Sequence, residues 1–301
     1  QRLVGRYSRR QIQCRDCGNV LRCNRCHMSM NYHGESNAAI CHICNYTVRH
    51  PTKCKECNSN RIRYLGLGTQ RVVQELEELF PGVKTLRWDR DAASYKDAHA
   101  EMMTTFSKGH AQILVGTQMI AKGLHFPRVT LVGVLCADIG LFLPDFRAGE
   151  RVFQLLCQVS GRTGRSDLGG KVIIQTYSPT NYAVHSAAAQ DYDMFYSQEI
   201  AYRHELDLPP FGKLIRLMYS HTNEDTCAKQ AIYLGKRFRQ QLEVMGITDV
   251  SVLGPAPAFP SKIRGRYRWH IILKGIEPRR LIDESNLPLG WMVEIDPTSV
   301  T

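Results

Sequence analysis

Four C-x-x-C pairs crowd the first part of the chain: Cys14/Cys17, Cys23/Cys26, Cys41/Cys44 and Cys54/Cys57, eight of its 11 cysteines. Two residues between thiolates let a tight knuckle present both sulfurs to one tetrahedral metal, so eight thiolates predict two closed structural zinc sites. Two pairings fit the order along the chain. In the nested one, Cys14, Cys17, Cys54 and Cys57 hold one zinc and Cys23, Cys26, Cys41 and Cys44 the other. In the sequential one, Cys14 to Cys26 hold the first and Cys41 to Cys57 the second. The inner pairs enclose 14 residues, a normal ribbon hairpin, which favours nesting. His27 and His42 adjoin ligand cysteines, but eight thiolates already fill two sites. A disulfide framework is disfavoured by the uniform spacing and by the absence of a secretory signal.

Two glycine-containing loops carry a second kind of chemistry. Gly116-Thr117-Gln118-Met119-Ile120-Ala121-Lys122-Gly123-Leu124-His125-Phe126-Pro127 follows a short apolar run, where ligand loops lie in α/β folds. Thr117 offers a hydroxyl to a phosphate oxygen, Gly123 permits close backbone approach, and Lys122 adds a cation. The other loop is Gln158-Val159-Ser160-Gly161-Arg162-Thr163-Gly164-Arg165, at a helix end. Gly161 allows a tight turn there, and two arginines three apart can aim their forks at one phosphate. Cys136, Cys157 and Cys227 stand alone in apolar or helical settings and read as core.

The elements that must position these groups divide the chain into four. Residues 1–64 form the basic segment and two-zinc module. They hold 12 basic and 3 acidic residues, a charge of +9 that falls to about +5 once eight thiolates and two zinc ions are included. So little apolar sequence makes metal the source of its folding free energy, and predicts a rigid basic projection toward a polyanion. Residues 65–178 alternate helix and strand: a helix after Gly66–Thr69, a strand at 83–86, a helix after Ser94, strands at 113–115 and 129–135, a helix at 147–158 and a strand at 171–176. That order predicts a parallel sheet, its strands buried on both faces. Residues 179–211 form a helical linker. Residues 212–301 read as strand 213–220, helix 224–245, strand 249–253, strand 267–274, helix 278–285 and strand 291–296, a ferredoxin-like βαββαβ order.

Within that last domain Lys262, Arg264, Arg266 and Arg268 alternate with Ile263, Tyr267 and Trp269. If the segment is extended, the four cations share one face, suited to DNA phosphates or to an acidic peptide. The whole chain carries Lys+Arg 39 against Asp+Glu 28, with 43% hydrophobic and 22% charged residues. That is ordinary globular composition, which excludes wholesale disorder, and no apolar run is long enough for a membrane helix.

The two loops together resemble motifs V and VI in the second RecA-like lobe of superfamily-two helicases. With the zinc pairs ahead of Gly66–Thr69, and with Trp88–Asp91, Ile113–Gly123, Pro144–Arg151 and Gln158–Arg165 in that order, the chain is similar to the primosomal replication-restart helicases. Asp207–Phe211, Leu253–Pro255, Arg266–Trp269 and Asp296-Pro297 continue the resemblance over essentially the whole length. Leu124 stands where a second His is usual, and Ser160 and Thr163 stand where Ala is common.

The resemblance implies the C-terminal half of a bacterial, cytoplasmic, ATP-dependent 3′-to-5′ DNA helicase. Such an enzyme binds stalled or branched forks and initiates primosome assembly for replication restart. Arg162, Arg165 and Gln158 would act on the nucleotide, with Gly123 and Gly161 beside it. Thr117, Lys122, Arg264, Arg266 and Arg268 would contact DNA. Zinc is then structural, ATP and magnesium belong to the full-length enzyme, and the partners are DNA, single-stranded-DNA-binding protein and primosome proteins including the replicative helicase loader. No G-x-x-x-x-G-K-[ST] phosphate loop and no D-E-x-H box occurs in the sequence, so a DNA-binding domain and a first lobe are expected to precede it, and the chain alone should not hydrolyse ATP. The competing readings are a non-enzymatic zinc-dependent nucleic-acid-binding module and another superfamily-two motor, such as a recombination helicase.

Overall fold

Short antiparallel strands join the four cysteine pairs. They are β1 (Gln11–Cys14), β2 (Asn31–His33), β3 (Ala38–Ile40), β4 (Thr47–Arg49) and β5 (Ile62–Leu65), in the sheet order β4-β3-β2-β1-β5. This is a computed structural model describing residues 11–33, 37–65, 68–89, 98–117, 126, 128–161, 170–283 and 287–300. One compact unit comprises Gln1–Leu65, Asp138–Arg151 and Tyr192–Thr301, and a second comprises Gly66–Ala137 and Val152–Asp191.

Helix and strand alternate from Thr69 onward: α1 (Thr69–Leu79), β6 (Thr85–Trp88), α2 (Ala98–Ser107), β7 (Ile113–Gly116), β8 (Leu131–Val134), α3 (Asp138–Leu141), α4 (Ala148–Ser160) and β9 (Lys171–Ile174). β6 pairs with β7 and β8 with β9, both parallel, as the alternation requires. Burial differs from the expectation of two covered faces. Leu131 and Ile173 are 59% and 51% exposed and alternate with half-buried neighbours. An apolar run marks a strand here, but it does not determine how many of its faces are covered.

The helical stretch expected over 182–205 is two helices, α5 (Tyr182–Ala189) and α6 (Tyr192–Glu205). Asn181 caps α5 by accepting from the Ala183 amide, and Gln190 ends it in a left-handed conformation at φ 54°. No Gly or Pro marks that break, so periodicity alone runs through it.

The last domain is β10 (Lys213–His221), α7 (Glu224–Met245), β11 (Val250–Ile263), β12 (Arg266–Gly275), α8 (Arg280–Asp283) and β13 (Trp291–Ile295). Its sheet order, β11-β12-β10-β13 with every pair antiparallel, is that of a ferredoxin-like βαββαβ fold. Helix α7 starts on the Asn223 cap and ends at Gly246 in the left-handed region. β11 runs ten residues beyond its expected end and meets β12 through a two-residue turn, Arg264-Gly265, with φ of 47° and 79°. Two positive φ values in succession match the twist of a tight hairpin.

Each face of this sheet has its own core. Ile215, Leu217, Ile271 and Leu273 pack with Leu234 and Phe238 of α7 and Leu281 of α8. The opposite face supplies Leu214 and Ile272 to a cluster that also holds Ile12, Cys23, Met30, Ala39, Cys41 and Ile43 of the cysteine ribbon, with Phe146, Leu208 and Val300. The ribbon's core is therefore completed by residues more than a hundred positions downstream. Neighbouring isoleucines separate the two cores. Ile271→Ala and Ile272→Ala should each cost about 2–5 kcal/mol of stability. Only Ile272→Ala should raise the reactivity of Cys23 and Cys41 toward a thiol reagent under native conditions, and equal reactivity in both variants would contradict a shared core.

Candidate functional site

Each C-x-x-C pair is built on the same backbone turn. The amides of Gly18, His27, Asn45 and Asn58 donate to the carbonyls of Cys14, Cys23, Cys41 and Cys54 at 2.9–3.1 Å. Those four residues all have positive φ, between 57° and 74°. The first cysteine of each pair donates its own amide to Asn19, Met28, Tyr46 or Ser59 at 2.8–2.9 Å, closing the knuckle. Gly and Asn tolerate the left-handed conformation, and their place just after the second cysteine is a signal that the cysteine spacing alone leaves unread. His27 fills the same role in the second knuckle, as a turn residue.

The knuckles converge in two groups. Cys14, Cys17, Cys54 and Cys57 form one and Cys23, Cys26, Cys41 and Cys44 the other, with the sulfurs of each group all within 4.8 Å of one another. This is the nested arrangement. Sulfur–sulfur distances are 3.6 Å for Cys14–Cys57 and Cys17–Cys54, and 3.4 Å for Cys23–Cys44 and Cys26–Cys41. A disulfide needs about 2.0 Å. Four thiolates about 2.3 Å from one zinc ion lie about 3.8 Å apart. The donor sets therefore fit a tetrahedral metal and exclude disulfides among these residues.

The two centres differ in their surroundings. The first cysteine of every pair is buried, but the second ones differ: Cys17 and Cys57 of the outer group are exposed, whereas Cys26 and Cys44 of the inner group are half-buried and only the inner group belongs to the shared core. Contact with Cys26 and Cys41 holds the Cys44 thiol down to about 2, and the same crowding by Cys41 and Cys44 pushes Cys26 far up. Four sulfurs cannot all ionise side by side unless a cation neutralises them. His42 is not among the ligands. Its ring faces His33 Nε2 at 3.1 Å and the Pro257 carbonyl at 3.4 Å, and its own carbonyl accepts a hydrogen bond from His270 Nε2 at 2.8 Å. Complete burial pushes His270 down to about 4, so it is neutral near pH 7 and serves as a donor between sheet and ribbon.

Of the other sequence-predicted residues, Thr117 is exposed directly after β7, at the carboxyl end of a parallel strand. Gln158 is exposed in the last turn of α4, and Gly161 follows that helix, its amide donating to the Cys157 carbonyl at 3.0 Å. Lys122, Gly123, Arg162 and Arg165 lie outside the described residues. Two of the sequence segments do meet: the Thr69 hydroxyl donates to Asp89 at 2.5 Å, and Trp88 Nε1 donates to His99 at 2.9 Å.

The row of four cations is corrected by the hairpin. Arg264 lies in the turn, and Lys262 pairs with Tyr267 across the strands, so it shares the face of Tyr267 and not that of Arg266 and Arg268. Lys262 Nζ sits 4.2 Å from the Tyr267 ring centroid. Arg266 donates to the Ser220 carbonyl at 2.7 Å. Arg268 is half-buried beside Arg216, and burial first, then that neighbouring charge, lower its pKa. Only Arg266 and Arg268 remain together.

Two family models match the chain: "Helicase conserved C-terminal domain" over residues 58–167 and "Primosomal protein N C-terminal domain" over residues 204–297. Among its relatives are proteins named replication restart protein PriA. That of Bacillus subtilis is 44% identical over 263 residues, 87% of this chain and 32% of the relative. That of Synechocystis is 40% identical over 293 residues, 96% and 34%. That of Treponema pallidum is 39% identical over 299 residues, 96% and 45%. The chain thus spans 32–45% of the length of these relatives. Strands β6, β7 and β8 fall within the first matched segment and the ferredoxin-like sheet within the second, and the chain corresponds to the C-terminal region of the proteins named PriA.

Proposed function

We propose that the chain is the C-terminal region of an ATP-dependent 3′-to-5′ DNA helicase that binds stalled or branched forks and initiates primosome assembly. The observation that carries this reading is the joint match of a helicase C-terminal segment and a primosomal C-terminal domain on one chain. Arg162 and Arg165 face the nucleotide's phosphates and offset charge developing on the transferred phosphoryl group, with Gln158 orienting the site. Arginines in that role are worth about 10³–10⁵ in rate. ATP and magnesium are held chiefly by a preceding lobe. Thr117 and Lys122 contact DNA phosphates and Gly123 lets the loop approach closely, so that the loop couples nucleotide state to DNA. Arg266 and Arg268 on one strand face, with Arg264 separately at the turn, offer cations to phosphates or to the acidic tail of single-stranded-DNA-binding protein, and a replicative helicase loader is the downstream primosome partner. Among the described residues no helix is long and apolar enough to cross a membrane. The place of action on this reading is the bacterial cytoplasm, where a replication-restart enzyme meets DNA.

Zinc fills both four-cysteine centres. Bound there it supplies structure only, because four thiolates leave no position open for water. Metal analysis should return two zinc ions per chain. Because Cys17 and Cys57 are exposed while their inner counterparts, Cys26 and Cys44, are half-buried, a chelator should remove one zinc quickly and the other slowly. Cys57→Ser should abolish the fast phase and Cys23→Ser the slow one, and a single phase or fewer than two zincs would contradict the assignment. In the full-length protein, Arg165→Ala should reduce DNA-stimulated ATP turnover by at least about a hundredfold with DNA affinity nearly unchanged. Normal turnover in that variant would refute the arginine role.

A further inference from the structure

A groove of about 220 Å³ opens in the cysteine ribbon, between the chain that leaves the first knuckle and the chain that enters the fourth. One wall is Val20, Leu21 and Arg22, and the other is Pro51, Lys53 and Lys55. Cys14 and Cys54, members of the same four-sulfur group, lie buried at its base and join the two walls. Metal binding accounts for those two cysteines and for nothing else in the lining.

The lining has two zones. Ile12 and Val20 are buried at the bottom, with half-buried Leu21, Pro51 and Ile62 around them, so the interior is apolar. Arg22, Lys53 and Lys55 are exposed at the rim. Arg22 Nη1 donates to the His27 carbonyl at 3.1 Å, and among the described residues none of the three cations pairs with a carboxylate. Glu56 is the one acidic residue of the rim. With zinc bound, the outer centre adds a charge of about −2. Its two sulfurs at the groove are buried, however, whereas the cations stand in solvent on long stems, so an arriving group meets the cations first.

An apolar interior inside a cationic rim discriminates among polyanions. Single-stranded nucleic acid is held by bases stacked on aromatic rings, and no aromatic side chain lines the groove. The volume is below the roughly 300–1,000 Å³ of small-molecule sites and suits one or two side chains. An apolar side chain placed there is desolvated by Ile12, Val20 and Ile62, and buried anchors of that kind carry most of the energy of an interface. Carboxylates beside it meet the rim, where charge-assisted contacts fix register and speed association.

We propose that this groove is a docking site for an acidic protein segment carrying one apolar anchor residue. The anchor enters between Leu21 and Pro51, and its flanking carboxylates engage Arg22, Lys53 and Lys55. The test uses the zinc-loaded full-length protein and a fluorescein-labelled peptide of aspartates and glutamates with one central leucine. Fluorescence anisotropy should show saturable binding, weakened at least about tenfold when Lys53→Glu and Lys55→Glu are combined. Both side chains are exposed, so zinc content and melting temperature should stay unchanged in that variant. A peptide with serine in place of the leucine should bind the unaltered protein about tenfold more weakly. No binding by the unaltered protein, or equal binding by the double variant, would overturn the proposal. A serine peptide as tight as the leucine one would also overturn it, by reducing the rim to a nonspecific cationic patch. Loss of single-stranded-DNA affinity in the double variant, with peptide binding retained, would assign the rim to nucleic acid and overturn it equally.

Discussion

Four sulfur atoms held within 4.8 Å of one another in an apolar cluster are the constraint on which the first compact unit depends. As thiolates they would repel by about 5 kcal/mol per pair at an effective dielectric of about 20, and a cation among them would offset that repulsion. The inner centre is not a local staple at the rim of the molecule. Cys23 and Cys41 pack among Met30, Ala39 and Ile43 of the ribbon, and the same cluster contains Leu214 and Ile272 of the ferredoxin-like sheet. A metal bound there would share a core with that sheet face, so its binding would be coupled to the burial of that face.

This alters the physical picture of the ribbon. A cysteine-rich segment with few apolar residues needs help to fold, and metal was the expected source of it. The structure supplies a second source, a sheet face with its own hydrogen-bonded link through His270 to the His42 carbonyl. The ribbon is less a free basic projection than a layer laid over the last domain. Its outer centre, with exposed Cys17 and Cys57, is the part left facing solvent.

What the sequence made legible was local. C-x-x-C spacing encodes a knuckle within four residues, and alternation of helix and strand encodes parallel pairing and the βαββαβ order. The nested metal pairing followed from the 14 residues between the inner pairs. The shared core was hidden, because Ile12 and Ile272 are 260 positions apart and neither carries a mark of its partner. The length of β11 was hidden for another reason. Gly254-Pro255-Ala256-Pro257 and Phe259-Pro260 read as loop, yet these residues lie on an edge strand, where proline sacrifices no essential ladder bond. That misreading carried the cation row with it, since Arg264 turns the chain where an extended segment was assumed. The break at Gln190 was equally silent, being made by a left-handed residue with no special tendency to adopt it.

Amide hydrogen exchange on metal-loaded and metal-stripped protein tests the unity of ribbon and sheet most directly. If the inner centre is part of the common core, stripping both metals should deprotect β10 and β12, including the amides around Leu214 and Ile272, together with β1 to β3. Loss of protection confined to residues 11–65, with β10 and β12 as slow to exchange as before, would show that the last domain folds without the metal-held layer and would contradict the account.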